Sequence, residues 1–304
     1  MAIDMSKYLV VGISSRALFD LEVENQIYDA HGLQAYEDHQ LKMENEILKP
    51  GVGFSIAKAI LKLNKWLPGD RKAEVVIMSR NSAETSLRIF NSIEEYGLDI
   101  TRAALTGGES LAPYLQAYSV DLFLSLHEED VQASVNAGVA SAMLYQQPEH
   151  HSSMSIDKEI DQIRIAFDGD AVLFSDESER IYQEQGLAAF EQHEKQNANN
   201  PIPAGPFAKL LKTLSYIQSE SEAQPSPIRT ALVTARASPA HERVIKTLRA
   251  WGVGLDETFF LGGMQKGEVL KAFGPNIFFD DQITHCDSAS AHGVAAGKVP
   301  YRVK

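Results

Sequence analysis

The sequence is poor in cysteine, in positive charge and in long apolar runs. Its 304 residues include one cysteine, Cys286, so an intramolecular disulfide and a cysteine-based metal cluster are both excluded. Lys and Arg number 28 against 41 Asp and Glu, and the formal net charge of −13 disfavours nucleic-acid polymers and anionic membrane surfaces as partners. The longest early apolar run, Tyr8–Ile13, is too short for a signal-peptide core or a membrane span. We therefore expect a cytoplasmic protein without a nucleic-acid or membrane partner.

The sequence does contain a long internal repeat. Tyr28 matches Tyr182 at a separation of 154 residues, and Arg88 matches Arg243 at a separation of 155. A near-constant separation continues over roughly 130 residues, which is far longer than chance similarity explains. We interpret the chain as a tandem duplication, with halves at residues 1–150 and 151–304 and a polar linker at Gln146–Asp161.

Short apolar, β-branched runs alternate with amphipathic helical stretches in each half. This alternation predicts a parallel sheet covered by helices on both faces. An insertion of about 60 residues separates the first two predicted strands of each half, and in the second half it occupies about residues 175–225. The predicted fold class is α/β, with two tandem Rossmann-like halves that have parallel sheets and a helical cap between strands one and two.

Polar residues of the second half follow the predicted strands or begin the helices after them. They are Asp168, Asp170, Thr234, Lys266, Asp280 and Asp281. Because ligands of doubly wound sheets bind at the carboxyl ends of the strands, we expect these side chains to converge. Carboxylates that converge repel each other unless a hard cation lies among them, and oxygen-only ligands favour magnesium.

Each of these residues can be interpreted either as part of a catalytic site or as an ordinary structural feature. A carboxylate such as Asp168 can attack a phosphoryl group, and Asp170, two residues later, can act as general acid and base. Thr234 and Lys266 can hold the phosphoryl oxygens. Taken singly, an Asp pair on a turn is common, and acids after a strand often cap the next helix. The ordered set at successive strand ends favours the catalytic interpretation.

Several strings resemble known motifs. FDGDAV, the Thr of LVTAR, the Lys of MQKGEVL and FFDDQ resemble the four motifs of the haloacid dehalogenase superfamily of phosphohydrolases. Longer strings are similar to those of the cytosolic type I 5′-nucleotidases over nearly the whole chain. These strings are SSRALFDLE, LKPG, TGGES, AFDGDAVLFSDESERI and PIRTALVTAR.

The resemblance implies Mg²⁺-dependent hydrolysis of nucleoside 5′-monophosphates of the AMP, IMP or deoxynucleotide class, through an aspartyl phosphate. It implies that Asp168 is the nucleophile and Asp170 the acid and base. Thr234, Ala235 and Lys266 would bind phosphate or substrate, and the metal ligands would be Asp168, Asp170, Asp280 and Asp281. Two alternatives stay open, a phosphatase for another small phosphate ester and a non-catalytic nucleotide-binding regulatory protein. A homo-oligomer is open as well.

The first half lacks the catalytic set. Ser14 and Arg16 stand where Asp168 and Asp170 stand in the second half, and Leu111 replaces Lys266. One interpretation is a scaffold that packs against the active half. The other is a second anion site for an effector or for substrate, and the resemblance implies a nucleoside diphosphate effector. The residues of that site would be Arg16, Gly107, Gly108, Glu109 and Ser110.

Overall fold

The structure, a computed structural model, describes residues 4–5, 8–67, 73–145, 162–221, 223 and 225–301. Its strands are β1 Leu9–Ile13, β2 Ala73–Ser79, β3 Arg102–Leu105, β4 Leu122–Ser125, β5 Ala140–Leu144, β6 Ile163–Phe167, β7 Ile228–Thr234, β8 Glu257–Phe260, β9 Ile277–Asp280 and β10 Ala296–Lys298. Its helices are α1 Ser15–Leu18, α2 Glu22–Lys42, α3 Phe54–Trp66, α4 Leu87–Glu95, α5 Ala112–Ala117, α6 Glu128–Asn136, α7 Glu177–Gln185, α8 Leu187–Gln196, α9 Ala208–Glu220, α10 His241–Trp251, α11 Lys266–Phe273 and α12 Ile283–Ala291.

These ten strands form one sheet in the order β3-β2-β1-β4-β5-β10-β9-β6-β7-β8. Strands β1–β5 and strands β6–β10 follow the same order from the outer edge inward. Neighbouring strands within each group are parallel, whereas β5 and β10 are antiparallel, with Leu144 opposite Gly297 and Met143 opposite Lys298. The predicted α/β fold class is confirmed. The parallel sheets predicted for the two halves are joined edge to edge into one mixed sheet.

Alternating strand residues reach opposite faces of the sheet, as the pleat requires. On one face, Ile13 and Phe167 belong to a single apolar core that runs across both groups of strands. On the other face, Val10 and Ala166 belong to two separate apolar clusters. Helices therefore cover both faces, which explains why the strand sequences are almost uniformly apolar. The division into halves at residues 150 and 151 stays a prediction, because the linker Gln146–Asp161 lies outside the described residues.

Helices α7, α8 and α9 lie within the range 175–225 for which the sequence predicts a cap insertion, and that insertion stays a prediction. Helix α9 contributes four of its buried side chains to the main core. The cap itself consists of α7 and α8, which meet at Gly186, where φ is +81°. The first-half cap, α2, bends in the same way at Gly32, where φ is +80°. Glycine tolerates this left-handed conformation at little cost, so both caps are helical hairpins that turn at equivalent glycines.

Candidate active site

The ends of β6 and β9 bring two of the predicted acids side by side. Asp168 follows β6 directly, and its backbone amide donates to the carbonyl oxygen of Phe279 on β9 at 2.8 Å. Asp280 is the last residue of β9 and is fully buried. Because β6 and β9 are parallel neighbours, their carboxyl ends lie at the same edge of the sheet.

Lys266 joins these two acids. Its Nζ donates to Asp168 Oδ1 at 2.5 Å and to Asp280 Oδ2 at 2.7 Å, and all three side chains are buried. Burial opposes the charge of Lys266, but the two carboxylates outweigh it and raise the pKa of the ammonium group. Burial also opposes the charge of Asp280, whereas Lys266 and His285 lower the pKa of that carboxyl group. The lysine and Asp280 are therefore a charged pair at neutral pH.

The surroundings of Asp168 and Asp281 disfavour the charged form of their carboxyl groups. Burial raises the pKa of Asp168 well above its ordinary value, and the nearby acids, led by Asp280, raise it further against the effect of Lys266. Burial likewise raises the pKa of Asp281 to about 6, although the hydroxyl of Tyr301 donates to its Oδ2 at 2.5 Å. Such a set of acids stores electrostatic repulsion that a bound cation would relieve.

The same acids have the geometry of a cation site. One carboxylate oxygen each from Asp168, Asp280 and Asp281 lies within 4.8 Å of the other two. Three buried carboxylates are ligands that hard divalent cations such as Mg²⁺ prefer. Asp170 is not in this group of three, so its role as a metal ligand stays a prediction, as do the roles of the others.

Asp170 is paired with an arginine instead. Arg236 donates from Nε to Asp170 Oδ2 at 2.8 Å and from Nη2 to Asp170 Oδ1 at 2.6 Å. This is a bidentate contact, the strongest form of a carboxylate–arginine pair. The arginine side chain is 2% exposed and the aspartate side chain 15% exposed, so solvent screens the pair only weakly. Both oxygens of the predicted acid and base are thus occupied in this structure.

Arg236 also connects the core to the cap. Its Nη1 donates to Glu194 Oε2 on α8, and the ring of Phe190 lies 5.3 Å from its guanidinium carbon. The other oxygen of Glu194 accepts from Arg243 at 2.9 Å and from the hydroxyl of Ser178 at 2.8 Å. Burial opposes the charge of Glu194, but Arg236 and these hydrogen bonds lower the pKa of its carboxyl group.

Thr234 is the last residue of β7, and Ala235 follows it directly before Arg236. Thr234 is buried, and its Oγ1 accepts from the backbone amide of Arg236 at 3.3 Å. A Cβ atom at Gly169 would lie 3.3 Å from that same oxygen, so Thr234 borders the loop that carries Asp168 and Asp170. Ala235 is exposed. The phosphate-binding roles of these residues stay predictions.

The sequence interpretation missed Arg236 and Glu194. Arg236 stands two residues after Thr234 in the string LVTAR, so its position after a strand was a usable signal. Glu194 had no such signal, because it lies 42 residues from Arg236 in a helix that also has Glu191.

Three of the five residues predicted for a first-half anion site border a cavity of about 400 Å³. Arg16, Gly107 and Gly108 line it, whereas Glu109 and Ser110 do not. Further lining residues come from the cap α2 and from the ends of β1, β2 and β4. They include Glu24, Tyr28, Tyr36, Glu37, Arg80, Asn81, Ser125 and Asp130. The structure thus brings part of the predicted set to one cavity.

Comparisons with known proteins identify the family of this chain. The family model described as 5′-nucleotidase matches residues 1–304. The chain belongs to the 5′-nucleotidase family. Human cytosolic 5′-nucleotidase 1B is 39% identical to it over 298 residues, which are 95% of this chain and 48% of that protein. The chain therefore spans about half the length of that relative. The resemblance indicated by the motifs is confirmed.

Within the described part of the chain, no helix has both the length and the apolar character that a membrane span requires.

Proposed function

We propose that this protein is a magnesium-dependent 5′-nucleotidase that hydrolyses nucleoside 5′-monophosphates to nucleoside and phosphate. The observation that carries the proposal is the buried cluster in which Lys266 contacts Asp168 and Asp280 beside Asp281. The three acids would hold Mg²⁺, which would neutralise charge that develops on the phosphoryl oxygens. Family membership supports the nucleotide substrate.

Asp168 is the proposed nucleophile. Lys266 holds its Oδ1, which leaves Oδ2 to attack the phosphorus atom while the bond from phosphorus to the 5′ oxygen breaks. Lys266 and Thr234 hold the phosphoryl oxygens during this transfer. A water molecule then attacks the phosphorus atom of the aspartyl phosphate, which releases phosphate and restores the Asp168 carboxylate.

Asp170 handles the protons in both steps. It protonates the departing 5′ oxygen and later takes a proton from the attacking water. To do so it has to release at least one of its two contacts with Arg236. The substrate phosphate is itself an anion and competes for this arginine, so we propose that substrate binding frees Asp170 for its role.

The cap supplies a surface for the nucleoside. Tyr182 and Phe190 form an edge-to-face pair with ring centroids 6.3 Å apart, and Phe190 also packs on Arg236. Tyr182 is 48% exposed, although tyrosine is usually more buried. We propose that this aromatic pair contacts the base, because exposed aromatic rings are favourable stacking partners for nucleobases.

Three broader expectations belong to the same proposal. The name of the human relative places that protein in the cytosol, and we propose the same location for this one. We propose that the chain consists of two haloacid dehalogenase-like halves, residues 1–150 without the catalytic acids and residues 151–304 with them and with a cap insertion at about residues 175–225. A homo-oligomer and a nucleoside diphosphate effector stay predictions.

A phosphate-release screen tests the activity. Nucleoside monophosphates and sugar phosphates are compared with and without Mg²⁺, and we expect release from the nucleotides only when the metal is present. Preference for a sugar phosphate would favour the alternative phosphatase. The absence of any release would favour a non-catalytic nucleotide-binding protein.

The variant Asp168→Asn tests the nucleophile in the same assay. Removal of the attacking charge should lower kcat by several orders of magnitude, while the fold survives because the side chain keeps its shape. The matched control is Asp287→Asn, an exposed acid on α12, which should keep wild-type turnover. Turnover by Asp168→Asn at the wild-type rate would contradict the assignment.

A further inference from the structure

The first-half cavity occupies the position that corresponds to the active site of the second half. It lies where β1, β2, β3 and β4 end, under the cap α2. The active site lies where β6, β7 and β9 end, under α7 and α8. The two places are equivalent in the repeated strand order of the sheet.

The aromatic part of the site is retained in both halves. Tyr28 and Tyr36 line the first-half cavity as an edge-to-face pair, with centroids 6.1 Å apart and an interplanar angle of 90°. Tyr182 and Phe190 form the corresponding pair at 6.3 Å and 83°. Each residue of one pair is 154 positions from its counterpart. The cavity therefore keeps the surface that we propose for the base.

The phosphate part of the site is not retained. Ser14 replaces the nucleophile, Arg16 replaces the acid and base, and Leu111 replaces the phosphate-binding lysine. At the end of β4, Ser125 stands where β9 carries Asp280. No cluster of carboxylates comparable to the metal site occurs here among the described residues.

The loop after β3 does not offer its amides to an anion. The amide of Gly107 donates to the carbonyl oxygen of Asn81 at 3.1 Å, and the amide of Gly108 donates to that of Arg80 at 2.7 Å. Both donors are used within the protein, so an incoming phosphate would have to break these bonds. The carbonyl oxygen of Gly108 in turn accepts from Arg80 Nε at 3.1 Å and Nη2 at 3.0 Å.

The arginines of the cavity also have partners. Arg16 donates to Asn25 at 2.8 Å and lies 3.4 Å from Glu22, and Arg80 lies 3.7 Å from Asp130. Glu37 adds a further carboxylate to the lining, for which the described residues provide no salt bridge. A ligand with several negative charges would lie close to the carboxylates of Glu37 and Asp130, and it would have to compete with the contacts that Arg16 and Arg80 already make.

We propose that the first-half cavity binds an uncharged nucleoside, with its base against Tyr28 and Tyr36. The polar side chains at the strand ends, among them Asn81 and Ser125, face the part of the cavity where the ribose hydroxyls would lie. The volume of about 400 Å³ lies within the range of small-molecule sites. The choice of ligand rests on the proposed function, since it assumes that the equivalent aromatic pair contacts the substrate base. The product of the reaction would then bind at a second site.

Direct binding in EDTA tests the proposal, because no hydrolysis is expected without the metal. Adenosine, inosine, cytidine and uridine are each compared with their own 5′-monophosphate and 5′-diphosphate by calorimetry on the whole protein. We expect at least one nucleoside to bind more tightly than its own monophosphate and diphosphate. Tyr36→Ala should weaken that binding by about tenfold or more, as expected for loss of a stacking partner. Tyr36→Phe keeps the ring and should retain the binding.

The control is Tyr216→Ala, an exposed tyrosine on α9 that does not line the cavity, which should leave the nucleoside affinity measured in EDTA within twofold of wild type. A further variant, Phe190→Ala, changes the equivalent position in the catalytic cap. Loss of that affinity in Phe190→Ala instead of Tyr36→Ala would assign the binding to the catalytic half and overturn the proposal. Tighter binding of ADP that is lost in Arg16→Ala, or no binding of any probe, would overturn it as well.

The phosphate-release assay on the same preparations separates this proposal from the proposed function. Nucleoside binding that depends on Tyr36, without release of phosphate from any nucleotide, would refute the nucleotidase activity and leave the nucleoside site standing. Release of phosphate without such binding would refute only the nucleoside site.

Discussion

At the scale of single residues, Lys266 is the cation that contacts both Asp168 and Asp280 in the candidate site. Its one positive charge is shared between two buried carboxylates, and Asp281 lies close to both. Removing one partner of a buried charged pair is much more costly than never having the pair, because the remaining charge is left without compensation. The stability of the metal-free protein should therefore depend on this side chain.

The variant Lys266→Gln should lower the free energy of unfolding by about 3–5 kcal/mol in EDTA. Mg²⁺ should recover part of that loss, because a cation that binds only the folded acids stabilises the folded state. Urea denaturation with EDTA and with Mg²⁺ measures both effects. The control is Lys271→Gln, an exposed position on α11, where we expect a change within about 0.5 kcal/mol. Equal stability of Lys266→Gln and the control in EDTA would contradict the paired arrangement.

Among the elements, the cap hairpin of α7 and α8 is held to the core differently from α9. The one buried side chain of α7 is Ser178 and the one buried side chain of α8 is Glu194, whereas α9 buries five apolar side chains. Ser178 and Glu194 are hydrogen-bonded to each other. The cap is thus attached chiefly by hydrogen bonds and charge, through Arg236 and Arg243. Such an element is expected to open more easily than one with an apolar core.

The variant Glu194→Gln should loosen the cap. It removes the charge that pairs with two buried arginines, and we expect faster amide hydrogen exchange in α7 and α8 but unchanged exchange in the central strands. Hydrogen–deuterium exchange with mass spectrometry measures the difference. The matched control is Glu184→Gln, an exposed acid on α7, which should exchange like wild type. Uniform acceleration over the whole sheet would contradict a local role.

The effect of this variant should also depend on pH. The pKa of Glu194 in the folded protein is lowered from its ordinary value of 4.5, so the folded state favours the charged form. The contribution of the charge to stability is therefore fully present above pH 4.5 and is lost as pH falls through the lowered pKa. Exchange in wild type and Glu194→Gln should differ most near neutral pH and converge in acid, once the intrinsic pH dependence of exchange is corrected.

At the scale of the whole molecule, the two groups of strands are joined into one sheet at one short junction. Strands β5 and β10 pair in antiparallel fashion through two residue pairs, and β10 also pairs with β9. Gly297 on β10 lies in a tight space, since a Cβ there would be 3.0 Å from Ala142 Cβ and 3.1 Å from Phe279 Cδ1. Only a residue without a side chain fits between these neighbours without displacing them.

The variant Gly297→Val should destabilise the protein by about 1–3 kcal/mol, the usual cost of overpacking a filled interior. Because Ala142 and Phe279 belong to different groups of strands, we expect both groups to lose stability. Chemical denaturation is followed by tryptophan fluorescence in two single-tryptophan backgrounds, Trp251→Phe and Trp66→Phe, so that Trp66 and Trp251 each report on one half. Gly254→Ala is the control, as a Cβ at that glycine meets no atom within 4 Å. A shift seen by one tryptophan alone would contradict a shared junction.

The part of the candidate site that could be predicted from the sequence consists of residues that follow or end an apolar strand. Asp168 and Asp280 lie side by side because their strands are parallel neighbours, and Lys266 lies between them, as the order of the motifs indicated. The contact of Asp170 with Arg236 could not be predicted in the same way. It depends on where two side chains 66 residues apart point once the strands are aligned.

The sequence by itself determined the α/β fold class, the repeat and the location of the acids at strand ends, because these follow from local hydrophobic patterns and a near-constant residue separation. Only the tertiary structure decided that the two groups of strands share one sheet, and that the cap reaches the site through Glu194 and Arg236. The physical reason is the range of the interactions. Strand and helix formation depend on neighbours in the chain, whereas an edge pairing or a buried ion pair depends on distant segments that meet only after folding.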